Sequence, residues 1–255
     1  MDARQTISEL DDDRRPVGDW GSVTAIIPCL NEETAIGACV AAILAHGVGE
    51  VIVVDGGSSD ATFARAAAAG ARVIVERSRG YGRAMQAGIA ALTPKCDTVL
   101  FVDGDGSDRP EHIPVMLTLL ATGEADFVTG SRLCGEREPG SLSPAQIVAG
   151  HLAGLLIWGL YGARFTDMSP FRALRRDTLQ RLGMRDQTFG WNLEMQMRVA
   201  AARLRIREIP VGQRRRAGGV SKVSGDPVSA ARAAWVIAAT FTRLAIELRR
   251  SRMTV

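Results

Sequence analysis

Three apolar, β-branched runs in the first half of this chain each end in a cluster of acidic, amide, hydroxyl and glycine residues, and this repeat restricts the fold more than any other feature. The runs Val23–Cys29, Glu50–Asp55 and Thr98–Asp103 lead into Pro28-Cys-Leu-Asn-Glu32, Asp55-Gly-Gly-Ser-Ser-Asp60 and Asp103-Gly-Asp-Gly-Ser-Asp108. Helical patterns separate them. Thr34–His46 places Ile36, Val40, Ile43 and Leu44 on one face before Gly47; Ser59–Ala69 opens at Ser58 or Ser59 and closes at Gly70; Gly82–Leu92 follows a further strand at Arg72–Glu76. Alternation of strand and helix predicts a mostly parallel sheet covered by helices on both faces, an α/β fold. In open sheets of this kind ligands bind beyond the carboxyl ends of the strands, so the three clusters are expected side by side around one site.

The second half reads as helix at Pro110–Leu120, strand at Asp126–Ser131, helix at Gln146–Tyr161 and Trp191–Ala202, and strand at Arg205–Val211. A chain of 255 residues with this pattern fits one large domain. Residues 1–20 are expected as a loose tail, 21–225 as the functional domain and 226–255 as an amphipathic helix with a basic tail. The apolar run Ile147–Tyr161 is shorter than the roughly 20 residues of a spanning helix and carries His151, so it is expected to be buried. Near the C-terminus Trp235, Ala238, Phe241, Ala245 and Leu248 recur at helical spacing. That helix could lie on a membrane, pair with a second subunit or pack on the body.

Hydrophobic residues at 46% and charged residues at 23% are the balance of a globular protein. The net charge of +3 hides an uneven distribution, with Asp11, Asp12 and Asp13 early and Arg214, Arg215, Arg216, Arg249, Arg250 and Arg252 late. A basic final third suits phosphate groups or an anionic membrane surface; no nucleic-acid partner is expected. Cys29, Cys39, Cys96 and Cys134 form no CxxC pair and are expected as buried, reduced thiols. With no signal-peptide pattern, the expected location is the cytoplasm, with peripheral contact at the cytoplasmic membrane face as an extension.

Asp103-Gly-Asp105 emerges at a strand end with one residue between its carboxylates, a pair suited to Mg²⁺ or Mn²⁺, which take oxygen ligands and keep positions open for water and phosphate. Acidic and glycine residues after a strand are also ordinary turn formers; Asp55 at a second strand end, and Gly104 and Gly106 allowing close approach to the backbone, favour the metal reading. Asn31 and Glu32 either contact a nucleoside or cap the following helix. Arg83, in Gly80-Tyr-Gly-Arg83, enters a helix whose N-terminal dipole suits an anion. Read one at a time, Arg172 suits a surface charge, Glu194 a helix salt-bridge partner and Trp191 a core anchor.

Six motifs taken in order change that reading: Ile27-Pro-Cys-Leu-Asn-Glu-Glu33, Val53-Val-Asp-Gly-Gly-Ser-Ser-Asp60, Phe101-Val-Asp-Gly-Asp105, Gly130-Ser-Arg132, Ser169-Pro-Phe-Arg-Ala173 and Arg216-Ala-Gly-Gly-Val-Ser-Lys222. Together, over residues 23 to 225, they resemble glycosyltransferase family 2, and within it the polyprenyl-phosphate sugar transferases of the dolichol-phosphate mannose synthase type. The resemblance implies a GT-A (Rossmann-like) fold, a Mg²⁺ or Mn²⁺ cofactor and inversion at the anomeric carbon of a sugar donated by UDP or GDP. It implies Pro28, Leu30, Glu32 and Asp55 around the nucleoside, with Asn31 and Gly56 beside them. Asp103 and Asp105 then belong at the ribose, metal and diphosphate, with Gly104 between them, and Arg132, Arg216 and Lys222 near phosphate oxygens. Met168-Ser-Pro-Phe-Arg172 departs from the Thr-Ser-Gly-Phe-Arg common in the dolichol type, which leaves the acceptor open, a polyprenyl phosphate being one candidate.

A single displacement by an acceptor oxygen is the mechanism expected. A lipid phosphate is already anionic; a hydroxyl needs a base, for which Asp167 and Glu194 are the candidates. Two rivals differ in class: a sugar-nucleotide nucleotidyltransferase, disfavoured because Pro28-Cys-Leu-Asn-Glu32 stands where a glycine-rich phosphate loop is needed, and a non-catalytic sugar-nucleotide-binding protein, disfavoured by the intact Asp103 and Asp105.

Overall fold

The computed structural model describes residues 20–217 and 238–249. One sheet holds the seven strands β1 (Trp20–Cys29), β2 (Val48–Asp55), β3 (Arg72–Val75), β4 (Thr98–Phe101), β5 (Phe127–Ser131), β6 (Arg172–Arg175) and β7 (Ile206–Pro210). Between them run α1 (Ile36–Ala45), α2 (Thr62–Ala68), α3 (Tyr81–Ala90), α4 (Ile113–Ala121), α5 (Pro144–Tyr161), α6 (Arg176–Leu182) and α7 (Trp191–Ala201), and residues 238–249 are also helical. The stretch read as one helix from Pro110 opens with a 3₁₀ turn, Pro110–His112, before α4.

The strand order is β3-β2-β1-β4-β6-β5-β7. β1 pairs in parallel with β2 on one side and β4 on the other, with Cys29 opposite Asp55 and Ile26 opposite Phe101. The three polar clusters therefore lie side by side, as their strand-end positions predict. β6 runs antiparallel between β4 and β5, and the sequence reading does not contain it. Arg172-Ala-Leu-Arg175 has an arginine at each end and only two apolar residues, so alternation gives no signal. Helix α6, directly after it, is absent from that reading too.

Alternate side chains of the central strands feed two cores, one on each face. Ala25 and Ile27 meet Ile36, Val40 and Ile43 of α1 and Met116, Leu117 and Leu120 of α4. Ile26, Val54, Val99 and Phe101 meet Met85 of α3, Trp191 and Leu193 of α7, and Leu244. Each large side chain buried this way contributes roughly 1.5–3 kcal/mol over an exposed one. Residues 23–29 are thus apolar on both faces, as a strand covered by helices on both sides requires.

Local readings need correction at three places. Helix α2 is not capped by Ser58 or Ser59; its N-cap is Ala61, without a side-chain cap, because Ser58 Oγ donates to Asp55 and Ser59 N to Asn31. Helix α5 begins two residues before the expected Gln146, through a capping box in which Ser143 and Gln146 satisfy each other's backbone N–H. It is also mostly not buried: Val148, Leu152, Leu155, Leu156 and Trp158 are exposed, while Gly150, Ala153, Gly154 and Ile157 are buried against the body and Tyr161 packs on the second core.

Of the three placements open to the C-terminal helix, its described part takes the last. Phe241, Leu244, Ala245 and Leu248 pack on the second core. Thr240 Oγ1 and Arg243 Nη2 donate to Asp186 Oδ2 at 3.0 Å each, and Glu247 accepts from Arg198 Nη2 at 3.0 Å. The face expected to meet a membrane or a second subunit is thereby occupied. Residues 1–19, 218–237 and 250–255, with Lys222, Trp235, Arg250 and Arg252, lie outside the described residues, and Trp20, expected to end the tail, instead opens β1. Cys29, Cys39 and Cys96 are buried free thiols, whereas Cys134, also free, is exposed.

Candidate functional site

The loop after β1 is laced to the loop after β2 by short polar side chains. Asn31 Oδ1 accepts from Ser59 N at 2.9 Å, Asn31 N donates to Ser58 Oγ at 2.9 Å, and Glu33 Oε2 accepts from Ala61 N at 3.2 Å. Asn31 sits at φ 54°, a left-handed conformation that asparagine tolerates better than most residues. Asp55 is buried and accepts from Ser58 N at 3.0 Å, while Gly56 N donates to Cys29 O at 2.9 Å. Neither Asn31 nor Glu32 caps α1 with its side chain: the N-cap is Ala35, and Glu32 contributes only its carbonyl to Ala35 N and Ile36 N. The Glu32 carboxylate turns into the site, where Oε1 meets Arg216 Nη2 at 2.8 Å.

The loop after β4 brings three acids together. Asp103 is partly exposed; Asp105 and Asp108 are buried. Asp108 Oδ2 accepts from Asp103 N at 2.9 Å, and Asp105 Oδ1 accepts from Ser107 N and Oγ at 2.9 and 2.6 Å. Arg216 Nη1 reaches Asp105 Oδ2 at 3.0 Å, so one guanidinium bridges the β1 and β4 loops. Burial, reinforced by the negative charges of Asp108 and Asp105, holds the Asp103 carboxyl well above the usual carboxylate range. Burial also pushes Asp108 up to about 7, with the charge of Asp105 adding to it. Crowded carboxylates of this kind are relieved by a cation.

Asp103 and Asp105 fit Mg²⁺ or Mn²⁺ as donors, being hard oxygens on one short loop. Among the described residues no group of three or more His, Cys, Asp or Glu is arranged to hold a metal alone, so substrate phosphate and water would complete the shell. Gly104 has a packing role. A Cβ there would stand 3.1 Å from Cys29 Cβ and from Ile27 Cγ2, so the glycine allows the β1 and β4 ends to pack.

Arg83 is displaced from its expected role. The first N–H groups of α3 do not face an anion: Gly82 N donates to Thr188 O at 3.1 Å and Arg83 N to Gln187 O at 3.2 Å, and the Arg83 side chain is exposed. The neighbouring Tyr81, unremarked in the sequence, instead approaches the site, its hydroxyl donating to Asp103 Oδ1 at 3.4 Å.

On the other side of the site Arg132, just past β5, forms a fork with Asp167: Nε to Oδ2 at 2.6 Å and Nη2 to Oδ1 at 2.8 Å, with Arg132 N also on Oδ2 at 3.0 Å. Although burial acts to raise it, the Asp167 carboxyl is held below its ordinary range by Arg132. Glu194 is fully buried on α7, accepting from Arg185 N, Asp186 N and Arg198 Nε at 2.6–3.1 Å. The expectation of a general base therefore meets two committed carboxylates, Asp167 neutralising an arginine and Glu194 fastening a loop to a helix.

Arg172, readable as a surface charge, is instead fully buried. It donates to the carbonyls of Asn192, at 3.1 Å, and Ser169, lies 6.0 Å from the Phe127 ring centre, and is pushed down to about 10 by burial. Tyr81, Asp108 and Arg172 are the residues at or beside the site missing from the sequence-derived set. Asp108 carried a signal as the third acid of its cluster and Arg172 as a member of the Ser169–Ala173 motif, while Tyr81 stood only as a neighbour of Arg83. Pro28, Leu30 and Gly56 stand at the β1 and β2 ends beside Asp55.

Comparison with known proteins identifies the family and the fold. Residues 24–209 match the model of Glycosyl transferase family 2. An uncharacterised glycosyltransferase of Mycobacterium tuberculosis H37Rv is 39% identical over 211 residues, covering 80% of this chain and 91% of the relative. A dolichyl-phosphate hexose transferase of Haloferax volcanii is 34% identical over 204 residues, covering 78% and 86%. Glucosyl-3-phosphoglycerate synthase from M. tuberculosis, in a crystal structure with Mn²⁺, UDP-glucose and phosphoglyceric acid, superposes with a TM-score of 0.69 at 24% identity, covering 88% of this chain and 79% of that one. At that identity the likeness establishes the fold, GT-A, with its mostly parallel sheet between layers of helices. On the family match and the mycobacterial relative together, the chain is a member of glycosyltransferase family 2.

Proposed function

We propose that this glycosyltransferase moves a hexose from a UDP- or GDP-sugar to a polyprenyl phosphate, in one displacement that inverts the anomeric centre, with residues 21–225 as the catalytic unit. The observation that carries the acceptor assignment is the commitment of both candidate bases. A hydroxyl acceptor needs a carboxylate free to take its proton, whereas a phosphate monoester arrives as a nucleophilic anion and needs positive charge around it. Arg132, assigned from the sequence to the donor phosphates, stands at the border of the two sides, where an incoming phosphate would compete with Asp167 for its guanidinium. The dolichyl-phosphate hexose transferase, whose name states a lipid phosphate acceptor, supports the same reading.

On the donor side, Pro28, Leu30, Asn31, Glu32, Asp55 and Gly56 would enclose the nucleoside, and Asp103 and Asp105 would hold Mg²⁺ or Mn²⁺ against the diphosphate. The bound ion would supply charge neutralisation of the departing nucleoside diphosphate. Arg216, tethered between Glu32 and Asp105, lies where its guanidinium can turn from carboxylate to phosphate; Lys222, outside the described residues, is the second cation proposed for the phosphates. Tyr81 orients Asp103 through its hydroxyl. Assigning the work to the cytoplasmic face follows from the same substrates, since nucleotide sugars are charged and cross no bilayer unaided.

The test is a panel of UDP- and GDP-sugars with Mn²⁺, read as nucleoside diphosphate release with and without polyprenyl phosphate. Release stimulated by the lipid phosphate supports the reading. Stimulation only by a soluble hydroxyl compound rejects it, and pyrophosphate release from a sugar 1-phosphate and a nucleoside triphosphate would reject transfer altogether.

A further inference from the structure

The least expected feature of the molecule lies on α5. Its exposed side is more apolar than its buried side: Val148 (65% exposed), Leu152 (54%), Leu155 (60%), Leu156 (41%) and Trp158 (47%) face outward. Positions 148, 152 and 155 follow the 4-3 spacing of one helical stripe, with 156 and 158 on its flanks. The body side carries small residues at Gly150, Ala153 and Gly154 that allow close contact, with Ile157 anchoring it in the core; a Cβ at Gly154 would stand 2.0 Å from Phe165 O. Helix α5 is long and apolar enough to cross a membrane by length and composition, yet one face is fixed to the protein, so it is suited to lie in the interface plane.

We propose that the exposed face of α5 seats the protein on an anionic lipid bilayer and thereby brings the acceptor side of the site to a lipid phosphate at headgroup depth. This rests on the lipid-phosphate reading above. Three observations favour lipid over a second copy of the chain. Between Glu138 and Asp167 the sequence has no acidic residue, and its one formal charge is Arg164, so nothing on this stretch repels an anionic surface. The Arg164 guanidinium lies 5.4 Å from the Trp158 ring centre, an aromatic and a cation together at the end of an apolar face, as at a headgroup boundary. The opposite side of the same helix borders the site, where a Cβ at Gly150 would stand 3.5 Å from Asp167 Oδ1, and Asp167 holds Arg132. A polyprenyl chain leaving the bilayer would expose every one of its buried CH₂ groups to water. Its phosphate therefore stays at the surface, and the enzyme must come to it.

The experiment is flotation of the full chain with phosphatidylcholine/phosphatidylglycerol vesicles, comparing wild type with a Leu152→Gln, Leu155→Gln, Trp158→Gln triple variant and a Phe63→Gln, Ile246→Gln control at exposed apolar sites elsewhere. The triple variant should lose at least about tenfold in partitioning, the control little, because three large apolar side chains no longer leave water on binding. Transfer to a water-soluble, short-chain prenyl phosphate should stay within about twofold while transfer to bilayer-embedded acceptor falls with partitioning. Should the triple variant fail to fold, Trp158→Phe replaces it: quenching of tryptophan fluorescence by brominated acyl chains should drop, and unchanged quenching overturns the proposal. So does wild type that never floats, a variant that floats like wild type, or a wild-type dimer that the triple variant splits. Vesicle binding through α5 without transfer to lipid phosphate would remove the acceptor assignment and leave the docking. Transfer to lipid phosphate with binding indifferent to α5 would do the reverse.

Discussion

The two sides of the site use charge in opposite ways. Beyond β1, β2 and β4, short side chains such as Asn31, Ser58 and Ser59 lace the loops, and the acids Asp103, Asp105 and Asp108 crowd together, with Arg216 bridging Asp105 to Glu32. Beyond β5 and around β6, charges are settled pairwise or against backbone: Arg132 with Asp167, Arg198 with Glu194 and Glu247, Arg172 with carbonyl oxygens. Where acids press on one another, removing one should relieve strain and cost chemistry. Where they are paired, removing one leaves a buried charge alone and costs stability. Mutation of an aspartate thus distinguishes the halves better than its degree of burial does.

The largest effect is expected from Asp103→Ala with Asp105→Ala. Turnover should fall on the order of 10³-fold, since charge stabilisation at the departing diphosphate is lost. The melting temperature should change little for Asp103→Ala alone, since burial and the neighbouring acids already disfavour that carboxylate, and should fall in the double variant, which also loses the Asp105 bonds to Ser107 and Arg216. Retained turnover in a steady-state assay would erase the contrast between the halves.

Asp167→Asn should show the inverse pattern, a loss of about 3 kcal/mol in chemical denaturation as Arg132 is left buried without its counter-ion. Linkage fixes the pH dependence. The folded-state pKa of Asp167 is depressed, so its contribution is present above the ordinary carboxylate range and is lost as pH falls through the folded value. Wild-type stability should drop on acidification by more than that of the variant, which has no carboxylate to protonate.

The same contrast explains what could be read from the chain in advance. Parallel strands covered on both faces advertise themselves as apolar runs, and strand ends that meet in one site follow from topology, so Asp55, Asp103 and Asp105 were visible. The acceptor side was not. Its antiparallel strand carries Arg172 inward, where composition says surface, and what makes this tolerable is a set of carbonyls from residues 169 and 192 that no local pattern announces. Asp167 and Glu194 were visible as acids, but their partners are 35 residues away in one case and on a neighbouring loop in the other. Helix α5 was legible as apolar; which side of it met the protein depended on Gly150 and Gly154, whose small size matters only once Phe165 and Asp167 are in place.

A smaller effect is expected where the halves touch. A Cβ at Gly82 would stand 2.2 Å from Asp186 O, a backbone atom that cannot swing aside. Gly82→Ala should cost about 2 kcal/mol by forcing α3 off the 186–188 segment. Because Tyr81 travels with α3 and reaches Asp103, kcat should fall with stability, measured as steady-state turnover well below the melting transition. An unchanged kcat would mean the two sides are mechanically independent.

The smallest effect belongs to Asn31, and it separates backbone from side chain within the donor half. At φ 54° an L-residue without a local hydrogen bond is disfavoured by roughly 1 kcal/mol, and Asn31 Oδ1 also holds Ser59 N. Asn31→Ala loses both the conformational tolerance and the bond; Asn31→Gly loses only the bond; Asn31→Asp keeps an acceptor. Stability by denaturant titration should therefore order Asp above Gly above Ala, over a span of about 1–2 kcal/mol. Donor KM should follow that order if Asn31 acts by holding the β1 and β2 loops in register. If Asn31 itself touches the nucleoside, all three variants should raise KM alike whatever their stability, because each removes the amide N–H₂.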